Sequence, residues 1–406
     1  MSNIIYFNNA ATSFPKPTSV INHIHEALYR PSSDSSRSCN CKKKNSDSDV
    51  ICKSKLRKFF KLSNVYDIIF TNGATHSLNS VINHLVNDLN ITTCYCTQQE
   101  HNSVYRTAHE KFKSVNFLNY ISKSVVDVSD LSDGSCIFLN HMCNVDGNVL
   151  DIPQILSTIK NSNVPVIIDI TQSAGIYDID ISKWDYLNLY IVCSTHKGMM
   201  SLESLGFFTK PKHVKFSPFI LGGTGKDSLI TTRTTSLEAG TPNSIAIESL
   251  IASINYINNF GLNNIKNTKR FLCEYYLKKI KTINNYNLYK KLFILDENNI
   301  NLDSGIITLK VNSSKANMFV ESLNSNNIIV RHGLHCSPIY HINILKCEST
   351  IRISFGLFNT KSQIDKFCEC CDNILAQQNY SYSRSLLSDS FEDGYNCASN
   401  STNDSN

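Results

Sequence analysis

The sequence lacks several features that would place it in a specialised class of protein. No run approaches the ~18 consecutive apolar residues that a membrane helix needs, and the opening residues MSNIIYFNNAAT have neither the basic head nor the apolar centre of a signal peptide. The 39 basic and 34 acidic residues form no long basic stripe interleaved with aromatic side chains. We therefore expect a cytoplasmic protein with no membrane segment and no nucleic-acid partner.

The cysteines are numerous but show no metal-binding or disulfide pattern. Fifteen is an odd number, and the chain of 406 residues is much longer than disulfide-stapled domains usually are. The close groups Cys39/Cys41, Cys94/Cys96 and 368–371 lack the repeated CxxC spacing of structural zinc sites. We predict reduced thiols and no metal site.

Apolar runs predict an α/β fold with two domains. Short β-branched runs alternate with helical patterns between about residues 65 and 210, which favours a mostly parallel sheet covered by helices. These runs are residues 67–70, 136–140, 164–170, 190–194 and 206–210. Further elements predict a smaller α+β domain, with helices near 243–259 and 262–284, strands at 305–311 and 327–331, and a closing helix near 361–377.

We predict four segments along the chain. Residues 1–25 form an N-terminal segment that packs with the small domain, 26–258 form the large domain, and 259–378 form the small domain. Residues 379–406 are rich in Ser, Asn and Asp with few apolar anchors, so we expect a disordered tail. The polar stretch 31–49 is expected to be a mobile loop before a helix that starts near Val50.

A lysine follows one of the predicted buried strands. The segment IVCSTHKGMM places Ser194, His196 and Lys197 at the carboxyl end of the strand, where open α/β sheets bind ligands. A lysine in that position can form a Schiff base. An ordinary surface lysine is the alternative for this segment taken alone.

A carboxylate ends the preceding strand. In VPVIIDITQSAG, Asp169 closes an apolar run and Gln172 follows three residues later. A buried carboxylate needs a cationic partner, and the ring nitrogen of pyridoxal 5'-phosphate (PLP) is one. Gln172 is then placed to bond the phenolic oxygen of the ring. An aspartate that caps the following turn is the alternative.

A strand, a glycine turn and a helix are predicted from IIFTNGATHSLN. The first turn contains Gly73, Ala74 and Thr75, whose free N–H groups favour a phosphate. The absence of GxGxxG makes a single phosphate a better ligand than a dinucleotide. Further on, His101 in QQEHNSV can stack on a flat cofactor, although a lone histidine is more often structural.

From residue 6 to residue 360 the chain resembles the cysteine desulfurase family of class V aminotransferases. Its ordered motifs are NNAAT (8–12), GATHSLN (73–79), EHNSV (100–104), HMCNVDG (141–147), DITQSAG (169–175), STHKG (194–198), EAGTPN (238–243), VRHGLHCSP (330–338) and IRISFGLFNT (351–360). The resemblance implies the PLP-dependent transferase fold of type I, similar to aspartate aminotransferase, and PLP as cofactor.

The resemblance also implies residue roles. Lys197 holds PLP as a Schiff base, Asp169 pairs with the ring nitrogen, His101 stacks on the ring and Gln172 bonds its phenolic oxygen. The phosphate is expected at Gly73, Ala74, Thr75, Ser194 and His196, with Thr241 reaching the phosphate of a neighbouring subunit, so a homodimer is expected. The substrate carboxylate is expected at Asn144 and Arg352, with Arg331 also lining the substrate site.

Cys336 decides the predicted chemistry. Beside His332, His335 and Arg331 its neighbours favour a thiolate, and family members use this cysteine to take sulfur from free L-cysteine. The products would be L-alanine and a persulfide on Cys336, passed to an acceptor protein, for example in iron-sulfur cluster assembly. The compact loop resembles the family branch that needs an activating acceptor. A small buried side chain is the alternative for Cys336.

Four departures from the family pattern predict reduced or altered activity. Asn8 replaces an aspartate, Thr195 replaces a glycine, residues 199–205 lack the usual glycine-proline run, and 31–49 replaces a Gly- and His-rich stretch. Three other functions therefore stay open. A selenocysteine lyase is distinguished by parallel assays with both substrates, a degraded PLP-binding relative by colour without alanine release, and a metal-binding scaffold by zinc without yellow colour.

Overall fold

The computed structural model describes residues 4–30, 48–223, 236–311 and 316–377. The helices in this part of the chain are α1 (Thr18–Leu28), α2 (Ser48–Phe59), α3 (Ala74–Asn87), α4 (Asn102–Lys111), α5 (Ile152–Thr158), α6 (Ser244–Phe260), α7 (Leu262–Ile280), α8 (Tyr286–Leu292), α9 (Ala316–Ser325) and α10 (361–377). The strands are β1 (Ile5–Tyr6), β2 (Tyr66–Thr71), β3 (Thr93–Cys96), β4 (Ser114–Phe117), β5 (Tyr120–Ser122), β6 (Val125–Val126), β7 (Ser135–Asn140), β8 (Val166–Asp169), β9 (Leu189–Ser194), β10 (Gly206–Pro211), β11 (Phe293–Ile294), β12 (Ile306–Val311), β13 (Ile328–Ile329), β14 (Arg331–Gly333) and β15 (Thr350–Ser354).

A seven-stranded sheet forms the centre of the larger part of the fold. Its strand order is β2-β10-β9-β8-β7-β3-β4, and every neighbouring pair from β9 to β4 is parallel. β10 is antiparallel to both of its neighbours, β2 and β9. The predicted mostly parallel sheet is therefore confirmed.

The two faces of this sheet bury different residues of the same strands. Ile168 and Ile191 lie in the core that contains α6, whereas Ile167 and Tyr190 lie in the core that contains α3 and α4. Successive side chains of a strand point to opposite faces, so strands covered on both sides read as continuous apolar runs. This is why the runs were visible in the sequence.

A second, smaller core surrounds an antiparallel sheet of order β11-β12-β15-β14. β1 pairs with β13, and Phe7 is buried in this second core. The following helix, α1, meets α6, where His23 Nε2 lies 2.7 Å from Glu248 Oε2. The N-terminal residues thus contact both parts, and the four-segment division stays a prediction.

Several element boundaries differ from the predictions. The helix predicted over 262–284 ends at Ile280, the strand predicted over 327–331 is two short strands, and α2 begins at Ser48, before Val50. The sequence analysis missed β4 and β15. Residues 31–47 and 379–406, with Cys39 and Cys41, lie outside the described residues.

The carboxyl ends of β2, β8 and β9 meet at one edge of the central sheet. Gly206 is the register partner of both Thr71 and Ser194, and Asp169 is the partner of Val192. The residues that follow these strands therefore share one edge, as open α/β sheets require for a ligand site. Across the parts of the chain described above, no helix has the length and apolar character to cross a bilayer.

Candidate active site

Lys197 lies just beyond β9 and is half-buried. Among the described residues its amine has no hydrogen-bond partner. Burial lowers the pKa of Lys197 to about 8, while the charge of Asp169 acts in the opposite direction and those of Arg352 and Arg331 add to the lowering. A larger fraction of this amine than of an ordinary lysine is therefore unprotonated near neutral pH, the state that a Schiff base requires.

Asp169 is buried at the end of β8 and is 7% exposed. Its Oδ1 accepts a hydrogen bond from the Thr171 backbone N–H at 2.8 Å. Burial raises the pKa of Asp169, whereas the Thr171 bond and the charge of Lys197 lower it. Asp169 forms no ion pair within the described ranges, so a cationic ring nitrogen would supply the positively charged partner that a buried carboxylate requires.

The glycine turn before α3 faces the end of β9. Gly73 is the N-cap of α3 with φ 137°, and a Cβ placed on it would lie 3.7 Å from Ser194 Oγ. A Cβ on Gly206 would lie 2.6 Å from the Gly73 Cα, so the two backbones touch. Ala74 and Thr75 form the first turn of α3, and the exposed Thr75 brings a hydroxyl to the same end. This helix end suits a phosphate.

The half-buried His196 contributes a ring to the same region. Its Nδ1 is buried and has no hydrogen-bond partner in the described part of the chain, and burial, followed by the charges of Lys197 and Lys16, lowers the pKa of His196 to about 4. A neutral ring with an unsatisfied buried nitrogen is suited to a hydrogen bond with a ligand. Together with Lys197 and Asp169, these observations show that the residues present fit PLP.

His101 is the N-cap of α4 and is half-buried. Its Nδ1 accepts a hydrogen bond from the Ser103 backbone N–H at 3.1 Å. Burial, with the charges of Lys197 and Arg331, lowers the pKa of His101 to about 4. The ring is therefore neutral at physiological pH and held at the same site as the lysine.

The two amide side chains predicted to bind the cofactor and the substrate, Gln172 and Asn144, form hydrogen bonds within the protein. Gln172 Nε2 donates to the Ala10 carbonyl at 2.9 Å. Asn144 Nδ2 donates to the His335 carbonyl at 2.6 Å, and Asn144 Oδ1 accepts from Ser337 Oγ at 3.0 Å. Each amide nitrogen has a second hydrogen. Their predicted roles toward cofactor and substrate stay predictions, and Asn144 also binds the loop of Cys336.

Arg331 and Arg352 are register partners on β14 and β15. Arg352 is 1% exposed, and its Nη1 donates to the Asn144 carbonyl at 2.5 Å and its Nη2 to Asn8 Oδ1 at 3.2 Å. Burial and then the charge of Arg331 lower the pKa of Arg352 to about 9. Among the residues that the structure describes, its buried Nε has no hydrogen-bond partner and its guanidinium forms no ion pair with a carboxylate. Asn8, which departs from the family pattern, thus contacts Arg352, a predicted substrate-binding residue.

Cys336 is half-buried, and Arg331 Nη2 lies 3.3 Å from its Sγ. The Cys336 carbonyl accepts from the Asn102 backbone N–H at the start of α4, at 2.7 Å. Cys336 and both arginines influence the charge state of Lys197, so the predicted nucleophile and the lysine share one site. This site lies between the two sheets.

The expectation that histidines favour a Cys336 thiolate is wrong. His332 Nε2 contacts Ser349 Oγ at 3.2 Å and His335 Nε2 contacts Thr350 Oγ1 at 2.8 Å. Burial lowers the pKa of His332, and burial with the charge of Arg352 lowers that of His335 far below its usual range. Both rings are neutral and directed elsewhere, so Arg331 is the cation beside the sulfur.

Thr241 precedes α6 and is exposed. Its predicted contact with a phosphate of a neighbouring subunit stays a prediction. The groups of three or more His, Cys, Asp or Glu side chains that a metal ion needs do not occur in the described ranges. The twelve cysteines there are free thiols.

The sequence analysis missed two ionisable groups at this site. Glu100, beside His101, is buried, and burial and the charge of Asp169 raise its pKa to about 8. Lys16 donates to the His196 carbonyl at 3.2 Å, and burial lowers the pKa of Lys16 to about 8. Glu100 stands within the recognised motif EHNSV, so its position beside His101 was the available signal.

Thr195, which replaces the glycine of the family pattern, is hydrogen-bonded to Ser201, which lies in the second segment that departs from that pattern. Ser201 Oγ donates to Thr195 Oγ1 at 2.6 Å, and Thr195 Oγ1 donates to the Leu205 carbonyl at 2.9 Å. Each buried hydroxyl therefore has a partner. The backbone after Lys197 is held without the expected glycines.

Comparison with known proteins places this site in a family. Residues 5–367 match the family model described as Aminotransferase class-V. The chain belongs to the class V aminotransferases. This class V aminotransferase is 28% identical over 394 residues to a cysteine desulfurase of Wigglesworthia glossinidia brevipalpis, with 90% of the chain and 91% of the relative covered. It is 25% identical to the cysteine desulfurase SufS of Plasmodium falciparum, with 89% and 82% covered.

Solved structures support the same fold for this class V aminotransferase. A cysteine desulfurase of Thermococcus onnurineus superposes with a TM-score of 0.74 at 22% identity, covering 92% of this chain and 95% of the other. A NifS-like protein of Rickettsia africae gives 0.75 at 20% identity, covering 92% and 99%. The predicted type I fold of PLP-dependent transferases is therefore confirmed.

Proposed function

We propose that this class V aminotransferase is a cysteine desulfurase that converts L-cysteine to L-alanine and leaves a persulfide on Cys336. The observation that carries the proposal is the 3.3 Å contact between Arg331 Nη2 and Cys336 Sγ in the site of Lys197. A thiol held by a cation beside a Schiff-base lysine suits sulfur transfer better than amino transfer. Relatives named as cysteine desulfurases support this function.

The residues of the site fit PLP. Lys197 would bond to it, Asp169 would face the ring nitrogen, His101 would stack on the ring, Gln172 would bond the phenolic oxygen, and the turn at Gly73, Ala74 and Thr75 with Ser194 and His196 would hold the phosphate. When bound, the cofactor supplies an electron sink for the bonds of the substrate's α-carbon.

The substrate carboxylate would bind Arg352, whose buried Nε has no hydrogen-bond partner in the described ranges. A planar guanidinium binds a carboxylate in two places at once. Asn144 and Arg331 would line the same site. The half-buried Lys197 amine would transfer the substrate α-proton once it is free.

Cys336 would carry out the sulfur transfer. Its Sγ forms a bond with the substrate sulfur while the bond from that sulfur to the substrate β-carbon breaks. The carbon keeps the electron pair and takes up a proton, which gives alanine. In sum, L-cysteine and the Cys336 thiol become L-alanine and the Cys336 persulfide. The outer sulfur would then pass to a thiol of an acceptor protein, with iron-sulfur cluster assembly as one destination.

A homodimer completes the proposal, because Thr241 would reach the phosphate bound by the neighbouring subunit. We also propose that the protein acts in the cytoplasm. Fractionation of cells that express the full chain tests the second point, and recovery in an organelle would contradict it.

The function is tested by incubating the PLP-loaded protein with L-cysteine, measuring alanine, and mapping persulfides by mass spectrometry. Lys197→Ala should be colourless and inactive, whereas Cys336→Ala should stay yellow and form little persulfide. Cys347→Ser is a matched control, because Cys347 is also a half-buried free thiol. Persulfide formation by Cys336→Ala at the unmodified rate would sink the nucleophile assignment, and parallel assays with selenocysteine separate a selenocysteine lyase.

A further inference from the structure

The two residues that flank Cys336 are tied to one pair of buried side chains. His335 Nε2 lies 2.8 Å from Thr350 Oγ1, and His341 Nε2 lies 2.9 Å from the same hydroxyl. The other nitrogen of His341, Nδ1, lies 2.9 Å from the carbonyl of Ser337. His341 and Thr350 therefore contact the residue before Cys336 and the residue after it.

The backbone of this loop needs such support. His335 has φ 48° and Cys336 has φ 62°, so two consecutive non-glycine residues adopt the left-handed conformation. Each such residue costs on the order of 1 kcal/mol and persists only where its surroundings enforce it. Asn144 also bridges the same two flanking residues, through the His335 carbonyl and the Ser337 hydroxyl.

His335, Thr350, His341 and the Ser337 carbonyl form a chain of hydrogen bonds. While both histidine rings are neutral, the donors and acceptors of this chain can be arranged in only one direction. The Ser337 carbonyl only accepts, so His341 Nδ1 must carry the proton and its Nε2 must accept. The single hydroxyl hydrogen of Thr350 then goes to His341 Nε2. Thr350 Oγ1 must therefore accept from His335 Nε2–H, which leaves His335 Nδ1 without a proton.

Two further observations agree with this direction. Within the part of the chain that the structure describes, His335 Nδ1 is buried without a hydrogen-bond partner, as an unprotonated nitrogen with no donor beside it would be. Burial lowers the pKa of both His335 and His341, which keeps the two rings neutral at physiological pH.

We propose that His341 and Thr350 are positioning residues for Cys336, and that they act through a directed chain from His335 through the Thr350 hydroxyl to His341. The inference rests on the proposed function for its effect on turnover, but its geometry does not depend on that function. Neither residue touches the substrate or the sulfur in this scheme. Their effect is to hold the strained loop so that Cys336 Sγ stays beside Arg331 and faces the site of Lys197.

Thr350→Val tests the proposal, since valine keeps the shape of threonine and removes the hydroxyl. We expect kcat for alanine formation to fall roughly tenfold to a hundredfold, as for a displaced reacting group, with the KM for cysteine changed by less than about threefold. The yellow colour of the bound cofactor should be unchanged. Thr350→Ser, which restores the hydroxyl, should recover most of the turnover.

Ser349→Ala is the matched control. Ser349 immediately precedes Thr350, and its Oγ contacts His332, which forms no hydrogen bond to the residues flanking Cys336 within the described ranges. This variant should keep kcat within about twofold of the wild type. Equal losses in Ser349→Ala and Thr350→Val, unchanged kcat in a folded Thr350→Val, or failure of serine to rescue would each overturn the proposal.

A measurement on the unmodified protein decides the case even if the valine variant does not fold. NMR of ring-labelled histidine distinguishes which ring nitrogen carries the proton, and His341→Asn and His335→Asn assign the two signals. We expect the proton on Nδ1 of His341 and on Nε2 of His335. A proton on Nε2 of neutral His341 would overturn the chain. If instead the wild type forms no alanine while these proton positions hold, the proposed function fails and the hydrogen-bond chain stands.

Discussion

Arg331 is the cation beside Cys336, because His332 and His335, which precede Cys336 in sequence, contact Ser349 and Thr350 instead. We expect Arg331→Met to slow alkylation of Cys336 by iodoacetamide at neutral pH several-fold to about tenfold, the effect of losing one charge-assisted hydrogen bond. Mass spectrometry of the Cys336 peptide over time measures the rate. Arg106→Met is the control, because Arg106 is an exposed arginine on α4. An unchanged rate in Arg331→Met would show that the 3.3 Å contact has no influence on the sulfur.

Glu100 links the stability of the fold to pH. Its Oε1 accepts from Thr97 Oγ1 at 2.5 Å and from the Asn140 backbone N–H at 2.7 Å, and its pKa is raised from 4.5 to about 8. The folded protein therefore binds more protons than the unfolded chain between these values. Its stability falls as the pH rises through that window.

Glu100→Gln should remove this dependence. Relative to the wild type, the variant should gain a few kcal/mol of unfolding free energy between about pH 5 and pH 9, since each pKa unit corresponds to about 1.4 kcal/mol. Urea denaturation of both proteins in the same cofactor state measures the difference. A difference that stays constant with pH would mean that Glu100 keeps the same charge throughout.

At the scale of elements, the loop between Lys197 and β10 replaces glycines with larger residues. Ser204 has φ 59° and is exposed, so its left-handed conformation has no compensating burial. Ser204→Gly should stabilise the protein by up to about 1 kcal/mol. Thermal denaturation measures the gain. Asn90→Gly is the comparison, because Asn90 is also exposed with φ 55° but asparagine tolerates this conformation better. An equal or larger gain at Asn90 would contradict the argument.

Local sequence was sufficient to predict the elements that end at the site. The strand before Lys197, the strand before Asp169 and the turn at Gly73 each combine an apolar run with the residues that follow it, so a short window contains the signal. The antiparallel direction of β10 has no such local signal, because its register with Thr71 and Ser194 depends on residues far along the chain.

The contacts around Cys336 were beyond sequence analysis for the same reason. Asn144 and His335 are 191 positions apart, yet their hydrogen bond shapes the loop. The neighbours of Cys336 in sequence suggested that histidines act on the sulfur, whereas the tertiary structure turns the two rings toward Ser349 and Thr350. Motifs thus identified the residues of the site, and long-range packing determined which of them touch.

For the whole molecule, the proposed homodimer has a candidate surface beside the phosphate turn. Phe219, Ile220 and Leu221 are consecutive and 44%, 47% and 60% exposed, and the Phe219 ring lies 6.2 Å from the ring of His76, which follows Thr75. Contiguous exposed apolar side chains mark interaction surfaces. A second copy that buries them would also bring its own residues to this turn, as the role predicted for Thr241 requires.

The double variant Phe219→Asp with Leu221→Asp should therefore convert a dimer into monomers and weaken retention of the cofactor together. Analytical ultracentrifugation of the full chain measures the first effect, and loss of yellow colour on dialysis measures the second. Leu187→Asp is the matched control, because Leu187 is 61% exposed but precedes β9, at the amino end away from Lys197. Phe219 and Leu221 are not among the residues that would hold the cofactor. A double variant that loses its colour but remains dimeric would therefore reject this surface as the interface.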